Sequence, residues 1–210
     1  MFSKVKEFFT HKDRDLRDNR WIFTTILAAA IISLLAAFVL SVEAIELAKN
    51  PNAQFGCSIN IVINCATVGK SSYATMFGFP NSFLGMMMEP AFIFIAIAGL
   101  AGVRFHRHFM FIIQIIFTAA LLFAYYLFFL STFVIQSLCP WCLLVMLSAT
   151  VMFFSITRFN LRENNLYLSK SLEARGRNFI NKDYDKFVLA LVVVASIILI
   201  IVKYGNGLFA

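Results

Sequence analysis

Charged residues are scarce in this chain. Asp, Glu, Lys and Arg make up 14 % of the 210 residues, and 60 % are hydrophobic. A soluble domain has about 25 % charged and about 45–50 % apolar residues. The chain has no internal repeat and no low-complexity tract, and it contains only three histidines and four cysteines. These shortages exclude an ordinary soluble domain and a repeat architecture.

Long uncharged stretches take the place of the missing charge. Crossing about 30 Å of hydrocarbon takes roughly 20 helical residues. The first stretch has 22 residues, longer than the roughly 7–15 apolar residues of a secretory signal, so we interpret it as a retained helix. The 30-residue stretch from Phe109 is too long for one straight span, and we expect its helix to end near Phe133. The composition predicts an all-α integral membrane protein with five spans, at residues 21–42, 82–103, 109–138, 140–157 and 187–202.

The positive charges are distributed unevenly between the loops. Fifteen of the 18 Lys and Arg precede the first span or lie in the loops after the second and fourth spans. Only Lys49, Lys70 and Lys203 fall on the other side. The positive-inside rule then predicts a cytoplasmic N-terminus and an outer C-terminus. This orientation accounts for the net charge of +7 without nucleic acid and puts all four cysteines on the outer face.

The cysteines form two pairs. Cys139-Pro140-Trp141-Cys142 has the C-x-x-C spacing of reversible thiol–disulfide exchange, and Cys57 and Cys65 share one outer loop. The outer face is oxidising, so two structural disulfides in a non-enzymatic membrane scaffold or transporter subunit are the alternative. A disulfide across three residues closes too small a loop to stabilise much. A four-cysteine metal site lacks ligand spacing in one pair and any histidine on that face. The pairs favour an electron relay from a soluble thiol into the bilayer.

The order of these elements is similar to that of a known family. Cys57 and Cys65 are followed by Ser71, by the run Gly78-Phe-Pro-Asn81-Ser-Phe-Leu-Gly85 at the start of a span, and by the C-x-x-C pair at the start of a later one. This arrangement resembles the vitamin K epoxide reductase family, in its bacterial branch that makes disulfide bonds. The resemblance covers about residues 20–160.

The resemblance implies a four-helix transmembrane bundle around a quinone, with a fifth, peripheral helix. Cys139 and Cys142 would form the active-site disulfide, with Cys142 nearest the quinone, and Cys57 and Cys65 would be the shuttle pair. Cys65 would exchange with a thioredoxin-fold partner outside the membrane, and Cys57 would attack Cys139. This chain would carry no fused thioredoxin domain, so the partner would be a separate protein. The quinone could be ubiquinone, menaquinone or a vitamin K-like compound.

The chain then divides into four parts. Residues 1–20 form a cytoplasmic segment, and residues 21–160 form the catalytic bundle with its outer cysteine loop, 43–80. Residues 161–186 form a basic cytoplasmic linker, and residues 187–210 contain the fifth helix and a short outer tail. The expected location is the cytoplasmic, or inner, membrane of a bacterium. The implied activity is that of a membrane thiol oxidase.

Helix-end chemistry supports the roles of the inner pair. Pro140 suits the first helical position, so Cys139 lies near the N-cap and Cys142 one turn on, on the same face. The positive end of a helix favours a thiolate, which we expect at Cys142 and which can reduce a quinone.

Four further residues have two interpretations each, and a fifth departs from the family pattern. Ser71 can hydrogen-bond a thiolate or quinone, or stabilise a turn. Asn81 can donate to a quinone carbonyl or cap the second span, and Lys70 can steer a partner or be simply solvated. Glu89 can move protons or bond the backbone that Pro90 frees. Met146 stands where vertebrate members have a quinone-binding tyrosine, which leaves the quinone and the response to coumarin-type inhibitors open.

Overall fold

The computed structural model describes residues 14–208, which hold seven α-helices and no β-strand. Five of the helices are long and apolar enough to cross a membrane, which confirms the expected all-α membrane fold with five spans. In chain order the helices are α1 Arg14–Lys49, α2 Cys65–Lys70, α3 Ser82–Leu100, α4 Arg107–Phe129, α5 Pro140–Arg162, α6 Lys170–Asn181 and α7 Tyr184–Tyr204. The expected N-terminal segment, 1–20, lies mostly outside the described residues.

The helix ends follow from local sequence. α1 ends at Lys49, one residue before Asn50-Pro51, because a residue preceding proline disfavours the helical conformation. α4 ends at Phe129 and continues as a π-helical turn, Leu130–Ile135, so the end expected near Phe133 falls within that turn. The basic linker, residues 161–186, contains α6.

α1 is the central helix of the bundle. It packs against α3 and α5, and α4 packs against α5, while α7 touches α5 and α6 from outside. Two glycines allow α1 and α3 to approach closely. A Cβ on Gly85 would lie 2.9 Å from that of Ala37, and a Cβ on Gly99 would lie 2.5 Å from the ring of Phe23. Small residues are the usual means of bringing membrane helices together.

The buried apolar core occupies only one half of the bundle. We call this half the basic end, because Arg107, Arg158 and Arg162 mark it, and the opposite half the cysteine end. The core comes from the first halves of α1 and α4 and the second halves of α3 and α5. Its members are Ile22, Phe23, Ile26, Ala29, Ala30, Phe92, Ile95, Ala96, Met110, Ile113, Phe117, Met152, Ile156 and Phe159.

α7 is peripheral but is held at both ends. At the basic end, Arg158 Nη1 contacts both carboxylate oxygens of Asp185, at 2.7 and 2.8 Å. At the cysteine end, the Tyr204 hydroxyl donates to the carbonyl of Thr132 in the π-helical turn, at 3.0 Å. The fifth helix therefore reaches the segment that leads into the C-x-x-C pair.

Candidate functional site

A short backbone bridge joins the two cysteine-bearing segments. The Leu138 amide donates to the Val62 carbonyl at 2.7 Å, and the Asn64 amide donates to the Leu138 carbonyl at 2.9 Å. Asn64 and Leu138 are the residues directly before Cys65 and Cys139. The bridge therefore brings one cysteine of each pair to the same place, although they are far apart in sequence.

The segment between α4 and α5 is shaped to make this bridge. Gln136 takes a left-handed conformation, with φ at 58°, and turns the chain back after the π-helical turn. The Ser131 hydroxyl then donates to the Ser137 carbonyl at 2.5 Å. The Ser137 hydroxyl in turn donates to the Val62 carbonyl at 3.2 Å, which fastens the cysteine loop to this segment.

Beneath the bridge lies one large cavity of about 880 Å³, within the range of known ligand sites. α1, α3, α4 and α5 supply its mostly apolar walls, and residues 71–81 cover it. Phe77 in this cover packs its ring against Phe123 of α4, with centroids 5.6 Å apart. Three of the four cysteines line the cavity: Cys65, Cys139 and Cys142.

The two pairs are in opposite redox states. Cys57 and Cys65 form a disulfide, whereas Cys139 and Cys142 are free thiols. The disulfide expected between Cys139 and Cys142 is therefore not formed in this structure. A scaffold with two structural disulfides would need both bonds, and only the Cys57–Cys65 bond is formed in this structure.

The burial of the shuttle pair is opposite to the order that we expected. Cys65 is only 3 % exposed and lines the cavity. Cys57 is half-buried and lies outside the cavity lining. A partner thiol can reach Cys57 but not Cys65 without moving the loop, and Cys65 is the sulfur on the side of Cys139. The geometry thus favours Cys57, not Cys65, as the cysteine that meets the partner.

The inner pair lies where the helix-end argument puts it, but the favoured thiolate differs. Cys139 is the N-cap of α5, with Pro140 at the first helical position, and it is 1 % exposed. Cys142 is half-buried and lines the cavity. A hydrogen bond from the Cys142 thiol lowers the pKa of Cys139. The reduced pair therefore favours the thiolate on Cys139 rather than on Cys142.

Asn81 lines the cavity but does not cap α3. Its Nδ2 donates to the Tyr73 carbonyl at 2.7 Å, and its buried Oδ1 has no partner among the described residues. Of the two interpretations of Asn81, the side-chain cap of α3 is not formed, and the free oxygen offers a ligand an acceptor. Ser71 also lines the cavity, but its hydroxyl donates to the Val68 carbonyl at 2.7 Å, which is the turn role.

The part of the chain that builds this site is also the part that matches known proteins. The sequence profile of the vitamin K epoxide reductase family matches residues 24–157, more than half of the chain. The chain belongs to the vitamin K epoxide reductase family. No curated protein matches it individually. Family membership identifies the protein as a membrane thiol–disulfide oxidoreductase, and the match contains all four cysteines but neither α6 nor α7.

Met146 and Lys70 lie at different distances from the cavity. Met146, at the position of the vertebrate tyrosine, is 3 % exposed and does not line the cavity. Lys70 is exposed at the cavity rim. Because the Met146 side chain lies outside the cavity lining, having methionine instead of the vertebrate tyrosine opens no gap in the cavity wall.

Two carboxyl groups also line the cavity. Glu89 is buried, and it accepts a 2.5 Å hydrogen bond from Ser33 of α1 rather than contacting the backbone freed by Pro90. Its second oxygen has no partner among the described residues. Glu43, which the sequence analysis did not single out, has Oε1 3.2 Å from Cys57 Sγ.

The group of Glu43, Cys57 and Cys65 has the spacing of a metal site, with ligand atoms within 4.8 Å of one another. Metals bind cysteine as the thiolate, however, and both sulfurs here belong to a disulfide. The chemistry of this group is therefore redox chemistry in the observed state. Only the distance of Glu43 from the cysteines draws attention to it, and that distance is set by the folded loop.

Proposed function

We propose that this protein is a thiol oxidase that takes two electrons from a reduced thioredoxin-fold protein and delivers them to a membrane quinone. The electrons pass first through Cys57 and Cys65 and then through Cys139 and Cys142. The product in the partner is a disulfide, so the activity supports disulfide bond formation.

One observation carries this proposal: both cysteine pairs meet at a single apolar cavity between membrane helices. Cys65 of the disulfide and the two free thiols line that cavity together. A structural disulfide needs no neighbouring dithiol, whereas a relay needs one pair oxidised while the next is reduced. The observed combination is the state that follows transfer from the shuttle pair to the inner pair.

The route conserves electrons at each step. A partner thiolate attacks Cys57, Cys65 leaves as a thiolate, and the second partner thiol releases Cys57. The Cys65 thiolate then attacks Cys139 in a Cys139–Cys142 disulfide and releases Cys142. Cys57 attacks Cys65, which re-forms the shuttle disulfide and leaves the inner pair reduced. That pair gives two electrons and two protons to the quinone and closes its disulfide again.

The cavity suits a quinone as the electron acceptor. Its volume of about 880 Å³ accommodates a ring with part of an apolar tail, and its walls are apolar. The polar groups at hand are the Cys142 thiol and the unpartnered Oδ1 of Asn81. An acceptor at this position complements the hydroxyl of a quinol, the reduced form.

The experiment is quinone reduction by the purified protein in lipid nanodiscs. We expect a short-chain ubiquinone analogue to be reduced when a reduced dithiol is supplied, and Cys139→Ala to abolish turnover. Ser196→Ala on peripheral α7 is the matched control and should stay active. Absence of quinone reduction by the parent protein, with its Cys57–Cys65 disulfide intact, would favour a non-enzymatic scaffold.

The order of the shuttle cysteines has its own test. In Cys57→Ala, Cys65 can still attack Cys139 but nothing resolves the product, so a Cys65–Cys139 bond should accumulate. Mass spectrometry of alkylated peptides detects it. A Cys57–Cys139 bond that accumulates in Cys65→Ala instead would restore the order first inferred from the family.

We also propose that the cysteine end faces the outside of a bacterial cytoplasmic membrane, on the strength of the fifteen-to-three charge bias. Single reporter cysteines at Ser72 and Arg175, in a cysteine-free background, distinguish the two faces. An impermeant maleimide should label the first in intact cells and spare the second. Labelling of the second alone would invert the orientation and put the cysteines in a reducing compartment.

A further inference from the structure

Glu43 is the carboxyl group nearest to the shuttle disulfide. It lies on the last turns of α1, is half-buried, and lines the cavity that Cys65, Cys139 and Cys142 share. Its Oε1 is 3.2 Å from Cys57 Sγ, and its carboxylate is within 4.8 Å of both shuttle sulfurs. Within the described part of the chain it forms no ion pair, whereas Glu46 on the same helix pairs with Lys49 at 3.7 Å.

This contact depends on the redox state of Cys57. A disulfide sulfur has no proton, so in the observed state only a protonated carboxyl can donate across the 3.2 Å. Once the disulfide is reduced, the Cys57 thiol becomes the donor and the carboxylate the acceptor. One proton can therefore remain between Glu43 and Cys57 in both redox states. It is bound to the carboxyl while Cys57 is in the disulfide and to the Cys57 sulfur once the disulfide is reduced.

We propose that Glu43 is the acid–base residue of the shuttle pair: its carboxylate takes the proton of the Cys57 thiol when that sulfur attacks, and its carboxyl returns the proton when Cys57 leaves. Thiol–disulfide exchange needs this transfer, because the thiolate is the nucleophile. This inference rests on the proposed function, in the order in which Cys57 meets the partner and Cys65 attacks Cys139.

The balanced step is the resolution of the Cys65–Cys139 bond. Cys57 gives its proton to Glu43 and its sulfur attacks that of Cys65. The Cys57–Cys65 bond forms, the Cys65–Cys139 bond breaks, and the electron pair of the broken bond stays on Cys139 as a thiolate. The neighbouring Cys142 thiol lowers the pKa of Cys139 and so stabilises that thiolate. When the partner later reduces the shuttle, Glu43 protonates the departing Cys57.

The other ionisable groups that line the cavity are not placed to exchange a proton with Cys57. Lys70 is exposed at the rim and Tyr73 belongs to the cover. α5 contributes the two inner cysteines, on both of which Glu43 acts electrostatically. α4 contributes only apolar side chains, and α3 contributes Glu89, which is bonded to Ser33. Of the carboxyl groups that line the cavity, only Glu43 contacts a cysteine.

The test is turnover against pH for the parent, Glu43→Gln and Glu46→Gln in nanodiscs, with a reduced dithiol and the ubiquinone analogue. General acid–base catalysis contributes typically 10²–10⁴-fold, so we expect Glu43→Gln to lose about 100-fold at pH 6–7. The deficit should shrink as the pH rises towards the ordinary thiol pKa, since solvent then removes the proton. Glu46→Gln should match the parent. No deficit, or an equal deficit at every pH, would overturn the proposal.

A second measurement needs no quinone. The fully oxidised protein is mixed rapidly with a reduced dithiol, which reduces the shuttle pair while the inner pair is still a disulfide. The reaction is then quenched with an alkylating reagent and analysed by mass spectrometry. Glu43→Gln should accumulate the Cys65–Cys139 bond because Cys57 resolves it slowly; accumulation equal to that of the parent would contradict the proposal. A parent that transfers electrons between its pairs but reduces no quinone would refute the proposed function alone. Should Glu43→Gln not fold, Glu43→Asp must keep the parent's pH profile, and a profile shifted to high pH would count against the proposal.

Discussion

The two ends of the bundle are made from the same four helices but are built for opposite purposes. At the basic end, the rings of Phe23 and Phe159 pack edge to face with centroids 5.1 Å apart and the apolar core is continuous. At the cysteine end the helices leave a cavity of about 880 Å³. Because the packed half holds the helices in place, the other half can stay open to receive a substrate.

The amide side chains show the same division. At the basic end, Asn160 Nδ2 donates to Gln114 Oε1 at 2.9 Å, and Asn165 Nδ2 donates to Asn160 Oδ1 at 3.0 Å. At the cysteine end, the buried Oδ1 of Asn81 has no partner among the described residues. A buried amide that is satisfied stabilises the fold, while one left open is available to a ligand. Substitutions at the two ends should therefore affect different measurements.

The largest effect should come from filling the close contact at the basic end. A Cβ on Gly99 would lie 2.5 Å from three atoms of the Phe23 ring, so α1 and α3 must separate in Gly99→Ala. Overpacking of this kind costs about 3 kcal/mol of unfolding free energy. Denaturant unfolding in detergent measures the loss, and the quinone KM of the remaining folded protein should stay within twofold of the parent.

Gly56→Ala is the control at the cysteine end, because a Cβ there meets nothing within 4 Å. It should leave the unfolding free energy unchanged. Equal destabilisation by the two substitutions would mean that the two ends are packed alike and that the comparison is wrong.

The next effect compares one substitution at the two ends. Asn160→Ala leaves the partner amides of Gln114 and Asn165 unpaired and should cost about 2 kcal/mol of stability without changing the quinone KM. Asn81→Ala should raise the quinone KM about tenfold, the equivalent of one hydrogen bond of about 1.4 kcal/mol, because it removes the second N–H of Nδ2 that can donate to a quinone carbonyl. Both quantities are measured on both variants.

If Asn81 is structural and Asn160 shapes the quinone site, Asn81→Ala and Asn160→Ala should show the opposite effects. Should Asn81→Ala melt earlier while its quinone KM stays at the parent value, the bond from Asn81 to the Tyr73 carbonyl is its whole function. A raised KM in Asn160→Ala would show that the basic end shapes the quinone site directly.

Features set by composition and local sequence could be predicted. Hydropathy gave the five spans, proline placed the end of α1 and the start of α5, and the two cysteine pairs gave the chemistry. Of the site residues that the resemblance to the family singled out, all but Cys57 line the one cavity, and their roles stay predictions.

Features set by long-range contacts could not be predicted. The bridge between Ile63 and Leu138 joins residues 75 positions apart, and no local pattern marks it. It determines which shuttle cysteine is buried, and the burial of Cys65 does not favour the order of Cys57 and Cys65 that the resemblance implied, which stays a prediction. The proximity of Glu43 to Cys57 and the contact of Tyr204 with the π-helical turn arise in the same way. Sequence spacing carries no information on contacts that form only when helices and loops dock.

The smallest expected effect concerns the inner pair alone. A hydrogen bond from Cys142 lowers the pKa of Cys139, so its thiolate persists to lower pH than an ordinary cysteine thiolate. In a Cys57→Ser, Cys65→Ser background, adding Cys142→Ala removes this donor and should move the alkylation of Cys139 to higher pH. Iodoacetamide, small enough for the cavity, and mass spectrometry give the rate at each pH. Leu144→Ala, exposed on the same helix, controls for altered access. A lowered pKa means that Cys139 becomes reactive at a lower pH. If the midpoint of the alkylation rate against pH stays or falls in Cys142→Ala, the N-terminus of α5, and not Cys142, stabilises the thiolate on Cys139.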